Sequence, residues 1–169
     1  MNENERLQGL EGWLVLVGIG VVISPLRLVF MLLTLYVPMF TDGTWEALTT
    51  VGAEKYHPLW APLLIGEVVF NTGFILVSCY LAYLFFTKRK FFPLLFIYVV
   101  LASVLFIPLD AWVASFVLTD VPIFDPATTM ELVRSLVYAI VWIPYMLISK
   151  RVKATFIRSP GEPSPMPSQ

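Results

Sequence analysis

The chain has 169 residues, of which 58% are hydrophobic and 14% are charged; its formal net charge is −1 and its mean hydropathy is +0.80. Because a soluble domain is about 45–50% apolar and about 25% charged, this composition excludes an ordinary soluble domain and indicates an integral membrane protein. The charged residues lie in short clusters between long apolar segments. The net charge therefore describes the loops and gives no indication of a nucleic-acid partner.

The first apolar segment, residues 12–38, is predicted to be span one. It exceeds the roughly 20 residues that cross a bilayer core, and Pro25, which lacks a backbone N–H, is a position where the helix is expected to bend. Residues 1–11 contain three acids and one base, and no cleavage pattern of small residues follows span one, so we expect it to stay in the mature protein. A polar loop that contains His57 leads to span two, residues 58–86.

Two further apolar segments are predicted to be span three, residues 91–118, and span four, residues 129–149. Residues 157–169 are rich in proline and serine and are predicted to be a disordered cytoplasmic tail, because they cannot bury enough apolar surface to fold. The predicted fold is therefore all-α: residues 12–156 form a four-transmembrane-helix bundle, preceded by a cytoplasmic segment, residues 1–11.

Basic residues predict the orientation of the spans. Most of them follow spans two and four, and this set includes Lys88, Arg89, Lys90, Lys150, Arg151 and Lys153. The other two loops contain only Lys55. By the positive-inside rule, both termini and the loop between spans two and three are expected in the cytoplasm. The same bases could also contact anionic lipid headgroups. Their role in setting the topology is sufficient by itself to explain their presence.

The ends of spans two and four are similar when they are aligned without gaps. Tyr80, Tyr83 and Lys88-Arg89 coincide with Trp142, Tyr145 and Lys150-Arg151. A tandem repeat of one two-helix hairpin, with both copies in the same orientation, would explain the match. The alternative is that membrane spans resemble one another because few residue types are tolerated in them.

From the outer half of each predicted span we consider one ionisable residue, and these residues are Arg27, Glu67, Asp110 and Arg134. Isolated charges are costly in hydrocarbon, so we expect Arg27 to pair with Glu67, Asp110 or both, and Arg134 to join them inside the bundle. Asn71 and Tyr138 lie four residues after Glu67 and Arg134, and so extend the same inward faces.

Two interpretations of this buried polar cluster are open. In the first, the cluster is a structural lock that fixes which helices touch. In the second, it lines an outward-opening cavity for an anionic, zwitterionic or protonatable ligand. The span boundaries carry errors of a few residues, so a third interpretation is open, in which Asp110 or Arg134 faces water at the outer rim.

The sequence predicts no catalytic residue, no metal site and no cofactor. A metal or haem site inside a bundle normally needs two or more nitrogen or sulfur ligands, and the one histidine, His57, lies in an external loop. No histidine lies at depth to activate a serine, and no glycine loop of a nucleotide site is present. We therefore expect no enzymatic activity.

Particular strings resemble a bacterial four-span inner-membrane family known as a domain of unknown function, family 2569. They are Leu7-Gln8-Gly9-Leu10-Glu11-Gly12-Trp13-Leu14, Ser24-Pro25-Leu26-Arg27, Trp142-Ile143-Pro144-Tyr145 and the segment from Ser149 to Phe156. The resemblance covers residues 7–156. It implies four helices in a bacterial inner membrane, and it supplies no activity and no catalytic residue.

Two functional hypotheses follow. The first is a non-enzymatic membrane component that binds another membrane protein or a second copy of itself, because small bundles often complete their packing by oligomerising. The second is a small transporter or ligand-binding membrane protein that uses the charged cluster, with Pro25 and Pro108 as bending points. In both, the lipid bilayer is the surrounding solvent.

Overall fold

The structure is a computed structural model that describes residues 9–119 and 121–156. Four long helices form a bundle: α1 (Trp13–Thr41), α3 (Trp60–Phe86), α4 (Phe92–Ala114) and α5 (Pro126–Ile148). Two short helices, α2 (Thr44–Thr49) and α6 (Lys150–Thr155), lie after α1 and α5. The predicted all-α four-transmembrane-helix bundle is confirmed. The predicted tail and residues 1–8 lie outside the described residues.

The four long helices are long and apolar enough to cross a membrane. Each is apolar around most of its circumference, as expected of a helix that faces lipid on one side and protein on the other. Only 11–22% of the most apolar stretch of each helix is buried inside the bundle. Helix α1 continues to Thr41 beyond the predicted end at Pro38, and α5 begins three residues before the predicted Thr129.

The bundle consists of two packed helix pairs, α1 with α3 and α4 with α5. Helix α3 also packs on α4, where Phe70 and Phe106 stack with ring centroids 3.5 Å apart. Helices α1 and α5 pack against each other less extensively than any of these pairs. The arrangement is therefore closed on three sides and weakly packed on the fourth. The tandem duplication of a hairpin stays a prediction.

Most of the buried core lies at one end of the bundle, which we call the basic end because it carries the bases that follow α3 and α5. Its buried side chains come from all four long helices and from the chain after α5, and include Leu14, Val17, Leu84, Phe85, Phe92, Phe96, Met146, Val152 and Phe156. Phe85 lies at the centre, with ring centroids 5.1 Å from Phe92 and 5.8 Å from Phe156. A Cβ atom built at Gly18 would lie 2.8 Å from the Phe85 ring, so α1 approaches α3 closely at this glycine.

Helix α6 folds back to close the basic end. The Ser149 hydroxyl caps it by accepting a hydrogen bond from the Val152 N–H. The Thr155 side chain then bonds both the N–H and the carbonyl of Gly9, each at 3.2 Å, and Arg151 lies 3.3 Å from Glu11. These contacts hold the segment before α1 against the segment after α5.

The half of the bundle away from the basic end, which we call the open half, is much less tightly packed. Among its described residues the only buried side chains are Tyr36 on α1 and Leu64 on α3. Near the basic end, α1 and α5 meet through Trp13 and Trp142, and a Cβ atom at Gly20 would lie 3.6 Å from the Tyr138 hydroxyl. Beyond this point the α1–α5 side is open.

Asp125 caps the first turn of α5. It has extended backbone geometry, Pro126 follows it at the first helical position, and its Oδ1 accepts a hydrogen bond of 2.7 Å from the Thr128 N–H. The hydrogen bonds from Thr128 hold the pKa of the Asp125 carboxyl below its ordinary value.

The Asp125 cap is expected to weaken in acid. Because the pKa of Asp125 is lowered in the folded state, its contribution is present above the ordinary aspartate pKa and is lost as the pH falls through the lowered value. Protection of the Thr128 amide against hydrogen exchange should therefore fall on acidification. In Asp125→Asn the cap is retained without a titrating group, so protection should not change with pH. The same acid-induced loss in that variant would contradict the assignment.

Candidate functional site

A polar network crosses between α1 and α3 in the open half. The hydroxyl of Tyr36, which is 4% exposed, donates a hydrogen bond of 2.7 Å to Oε2 of Glu67. Asn71 Nδ2 donates a bond of 2.9 Å to the backbone carbonyl of Glu67, one turn earlier on the same helix. The Glu67 carboxylate therefore bonds to a phenol of the neighbouring helix.

Two further carboxylates lie in the open half, Asp110 on α4 and Glu131 on α5. Asp110 is half-buried and Glu131 is exposed. We call Tyr36, Glu67, Asn71, Asp110 and Glu131 the acidic cluster. Carboxylates that repel each other in a poorly solvated site favour a shared proton or a bound cation. No group of three possible metal ligands occurs in the described part of the chain.

The predicted pairing of Arg27 and Arg134 with these acids is not formed. Both arginines have exposed side chains, and within residues 9–119 and 121–156 neither makes an ion pair with an acid. Arg134 Nη2 instead lies 3.1 Å from the Met130 sulfur. Two side chains at the same depth on different helices meet only if each helix is rotated about its axis so that they face each other. Residue spacing along the sequence does not give this rotation.

The two arginines lie at matching depths, Arg27 on α1 and Arg134 on α5. Arg27 is 14 residues after Trp13, and Arg134 is 14 residues before Ile148, which places both about 21 Å from the basic end. Trp13, Gly20 and Arg27 recur every seven residues, or about two helical turns, and the first two contact α5. Arg27 therefore lies at the α5-facing edge of α1.

Tyr138 also lies apart from the acidic cluster. Its ring packs 6.2 Å from Phe96 and 6.0 Å from Trp142, and its hydroxyl approaches Gly20. Tyr138 thus belongs to the contact that joins α1 to α5 below the opening. Of the six residues predicted to form the cluster, Glu67 and Asn71 share a contact among the described residues, the bond from Asn71 Nδ2 to the Glu67 backbone carbonyl. A buried charged cluster is therefore not shown.

Sequence reasoning missed Tyr36 and Glu131. Tyr36 is the one hydroxyl-bearing aromatic residue of α1, and its depth near the open end matches that of Glu67. A phenol at that level was a detectable signal, because a buried tyrosine hydroxyl usually has a hydrogen-bond partner. Glu131 gave no signal because it lies near the N-terminus of α5. Acidic residues are common there, since the helix dipole favours negative charge at that end.

The basic residues that were predicted to set the membrane topology lie together at the basic end. Lys88, Arg89 and Lys90 form the turn between α3 and α4, and Lys150, Arg151 and Lys153 belong to α6. Helix α3 ends in a Schellman motif, in which the Arg89 N–H bonds the Leu84 carbonyl and the Lys88 N–H bonds the Phe85 carbonyl. Lys88 has φ of 53° in this motif, a left-handed conformation that favours glycine.

Replacing Lys88 by glycine is expected to stabilise the bundle by up to about 1 kcal/mol, because glycine adopts the left-handed conformation without a Cβ penalty. Unfolding in a denaturing detergent titration would measure the change. Lys90→Gly removes a neighbouring base outside the left-handed position, so it should not be stabilising. Equal stabilisation by both substitutions would contradict the conformational explanation.

Comparisons with known proteins identify a family and supply no activity. No curated protein and no solved structure matches the chain. The family model described as a protein of unknown function, DUF2569, matches residues 7–157 and confirms the resemblance noted in the sequence. Because this match contains all the helices of the bundle, the chain belongs to the DUF2569 family.

Proposed function

We propose that this chain is a non-enzymatic membrane component that binds another membrane protein, or a second copy of itself, through the open α1–α5 side. One observation carries the proposal. Arg27, at the edge of that opening, has an exposed guanidinium and makes no ion pair in the described part of the chain.

The energetics favour a partner that supplies an acid. An arginine inside the hydrocarbon layer is costly, up to about 2.5–3.5 kcal/mol at the bilayer centre on insertion scales, and pairing inside protein offsets this cost. The Cα–Cβ bonds of a helix tilt towards its N-terminus, and the N-terminus of α1 is at the basic end. The Cα–Cβ bond of Arg27 therefore tilts away from the nearer membrane surface, which favours a carboxylate on a neighbouring helix as its counter-ion.

The surface around Arg27 suits a helix of another membrane protein. Leu26 and Phe30 are 65% and 71% exposed and provide apolar surface beside the charge. A partner helix seated here would cover the least packed side of the bundle.

We also propose the setting and the absence of chemistry. The bases of the turn after α3 and of α6 lie at one end of the bundle, which supports a bacterial inner membrane with both termini in the cytoplasm. The four long helices contain no histidine, which supports a binding role rather than catalysis.

Site-specific photo-crosslinking in native membranes tests the docking side. A photoreactive residue at Phe30, on the open side, should form a discrete adduct, either a dimer or a complex with one partner. The matched control is Leu105 on α4, which is 69% exposed and distant from the opening. Arg27→Gln should abolish the Phe30 adduct, and Arg134→Gln should leave it. Equal adducts from both positions, or an unchanged adduct in Arg27→Gln, would refute the proposal.

The second candidate is a small transporter or ligand-binding protein that uses the acidic cluster. Its support is the presence of two half-buried carboxylates in the open half, Glu67 on α3 and Asp110 on α4. Proteoliposomes with a pH-sensitive dye would test proton or cation movement. Glu67→Gln and Asp110→Asn should abolish a signal that Glu54→Gln, in the exposed loop, retains. Absence of any signal from the wild-type protein would leave the partner-binding proposal alone.

A further inference from the structure

An open apolar depression lies on α5 in the open half, with a guanidinium at its edge. Its volume is about 510 Å³, and it is lined by Phe124, Pro126, Thr129, Met130, Val133 and Arg134. We propose that Arg134 and this depression bind an anionic phospholipid, the phosphate at the guanidinium and an acyl chain along the apolar lining. The site is separate from the partner surface at Arg27, and the proposal does not depend on it.

The direction of Arg134 distinguishes it from Arg27. The N-terminus of α5 is at the open end, so the Cα–Cβ bond of Arg134 tilts towards the nearer membrane surface. Its Nη2 lies 3.1 Å from the Met130 sulfur, one turn closer to that surface. The side chain therefore extends towards the headgroups, as long basic side chains do when they lie just inside a bilayer.

The depth of Arg134 favours a lipid phosphate over a free anion. Arg134 lies about 21 Å from the basic end of α5, so it is about 9 Å inside a hydrocarbon layer that is roughly 30 Å thick. A free phosphate would have to lose its hydration to reach that level. The phosphate of a phospholipid already lies at the membrane surface nearest to Arg134. The guanidinium extends towards that surface.

Charge and shape both select this occupant. Arg134 makes no ion pair with an acid in the described residues, and a guanidinium binds phosphate oxygens in a bidentate geometry. The depression is lined mainly by apolar side chains, among them Phe124, Met130 and Val133, which offer contacts to an acyl chain and none to a polar ligand. An anionic amphiphile matches both parts.

Competition between spin-labelled phosphatidylglycerol and phosphatidylcholine for the full-length protein in reconstituted bilayers tests the proposal. The wild-type protein should prefer phosphatidylglycerol. Arg134→Gln should reduce this preference about fivefold, the factor that corresponds to about 1 kcal/mol for one base near a membrane surface. Arg134→Lys should retain part of it. Arg27→Gln is the matched control, since it removes an exposed guanidinium at the same depth.

A variant that fills the depression provides a second measurement. Val133→Trp keeps Arg134 and should weaken binding of phosphatidylglycerol while preserving the preference for an anionic headgroup among the lipids still bound. Circular dichroism and elution on size exclusion verify that each variant is folded. An unchanged preference in Arg134→Gln would overturn the proposal, and so would an equal loss in Arg27→Gln, which would mean that any exposed base at this depth attracts the lipid.

Discussion

Replacement of Phe85 by alanine is expected to destabilise the bundle by about 3–5 kcal/mol, the range for removing a large aromatic side chain from a packed core. Phe85 is 2% exposed and contacts Phe92, Phe156 and the glycine surface of α1 at Gly18. Without its ring, a cavity would remain between helices α1, α3 and α4 in the best-packed part of the molecule. Unfolding in a denaturing detergent titration, followed by circular dichroism, measures the loss.

The neighbouring residue is a matched control. Phe86 has the same side chain on the same helix, but it is 57% exposed and faces away from the core. Phe86→Ala should therefore destabilise the protein far less than Phe85→Ala. Similar losses for the two variants would mean that the basic end is not the stabilising core of the bundle.

Removal of the Glu67 carboxylate is expected to cost about 1–2 kcal/mol, because it leaves the buried Tyr36 hydroxyl without its acceptor in a poorly solvated site. Glu67→Leu should therefore be more destabilising than the double variant Tyr36→Phe with Glu67→Leu, in which neither polar group is left unpaired. A double-mutant cycle on the free energy of unfolding isolates the coupling between the two side chains.

Thr72 provides the comparison for this cycle. It is exposed, and its hydroxyl donates a hydrogen bond of 2.7 Å to the carbonyl of Val68 on its own helix, so Thr72→Ala should show little coupling to Tyr36→Phe. Additive effects of Tyr36→Phe and Glu67→Leu would show that the bond between α1 and α3 contributes nothing to stability. They would also remove the support for an organised acidic cluster.

The spans were predictable from the sequence because membrane helices depend on a long apolar segment that few other structures require. Their ends shifted by a few residues, as for α4, which ends at Ala114 rather than at residue 118. Helix ends in loops are set by local capping, such as that of Asp125, which hydropathy does not register.

The charge pairing was not predictable for a different reason. Depth along a helix follows from counting residues, and that count was the basis for predicting Arg27, Glu67, Asp110 and Arg134 in the outer half of the bundle. The side on which each residue lies depends on the rotation of every helix, which is decided by contacts such as Gly18 on Phe85. The apolar pattern of a membrane helix is nearly uniform around its axis, so it carries little information about that rotation.

The uneven distribution of packing has a mechanical consequence. With aromatic rings joining all four long helices at one end and few buried side chains at the other, the α1–α3 and α4–α5 pairs resemble two arms held at a common base. Fluctuations of the arms are expected to be largest at their free ends, since local stability follows local packing. Bilayer thickness and lateral pressure, which act on those ends, should therefore change the separation of the arms while leaving the base intact.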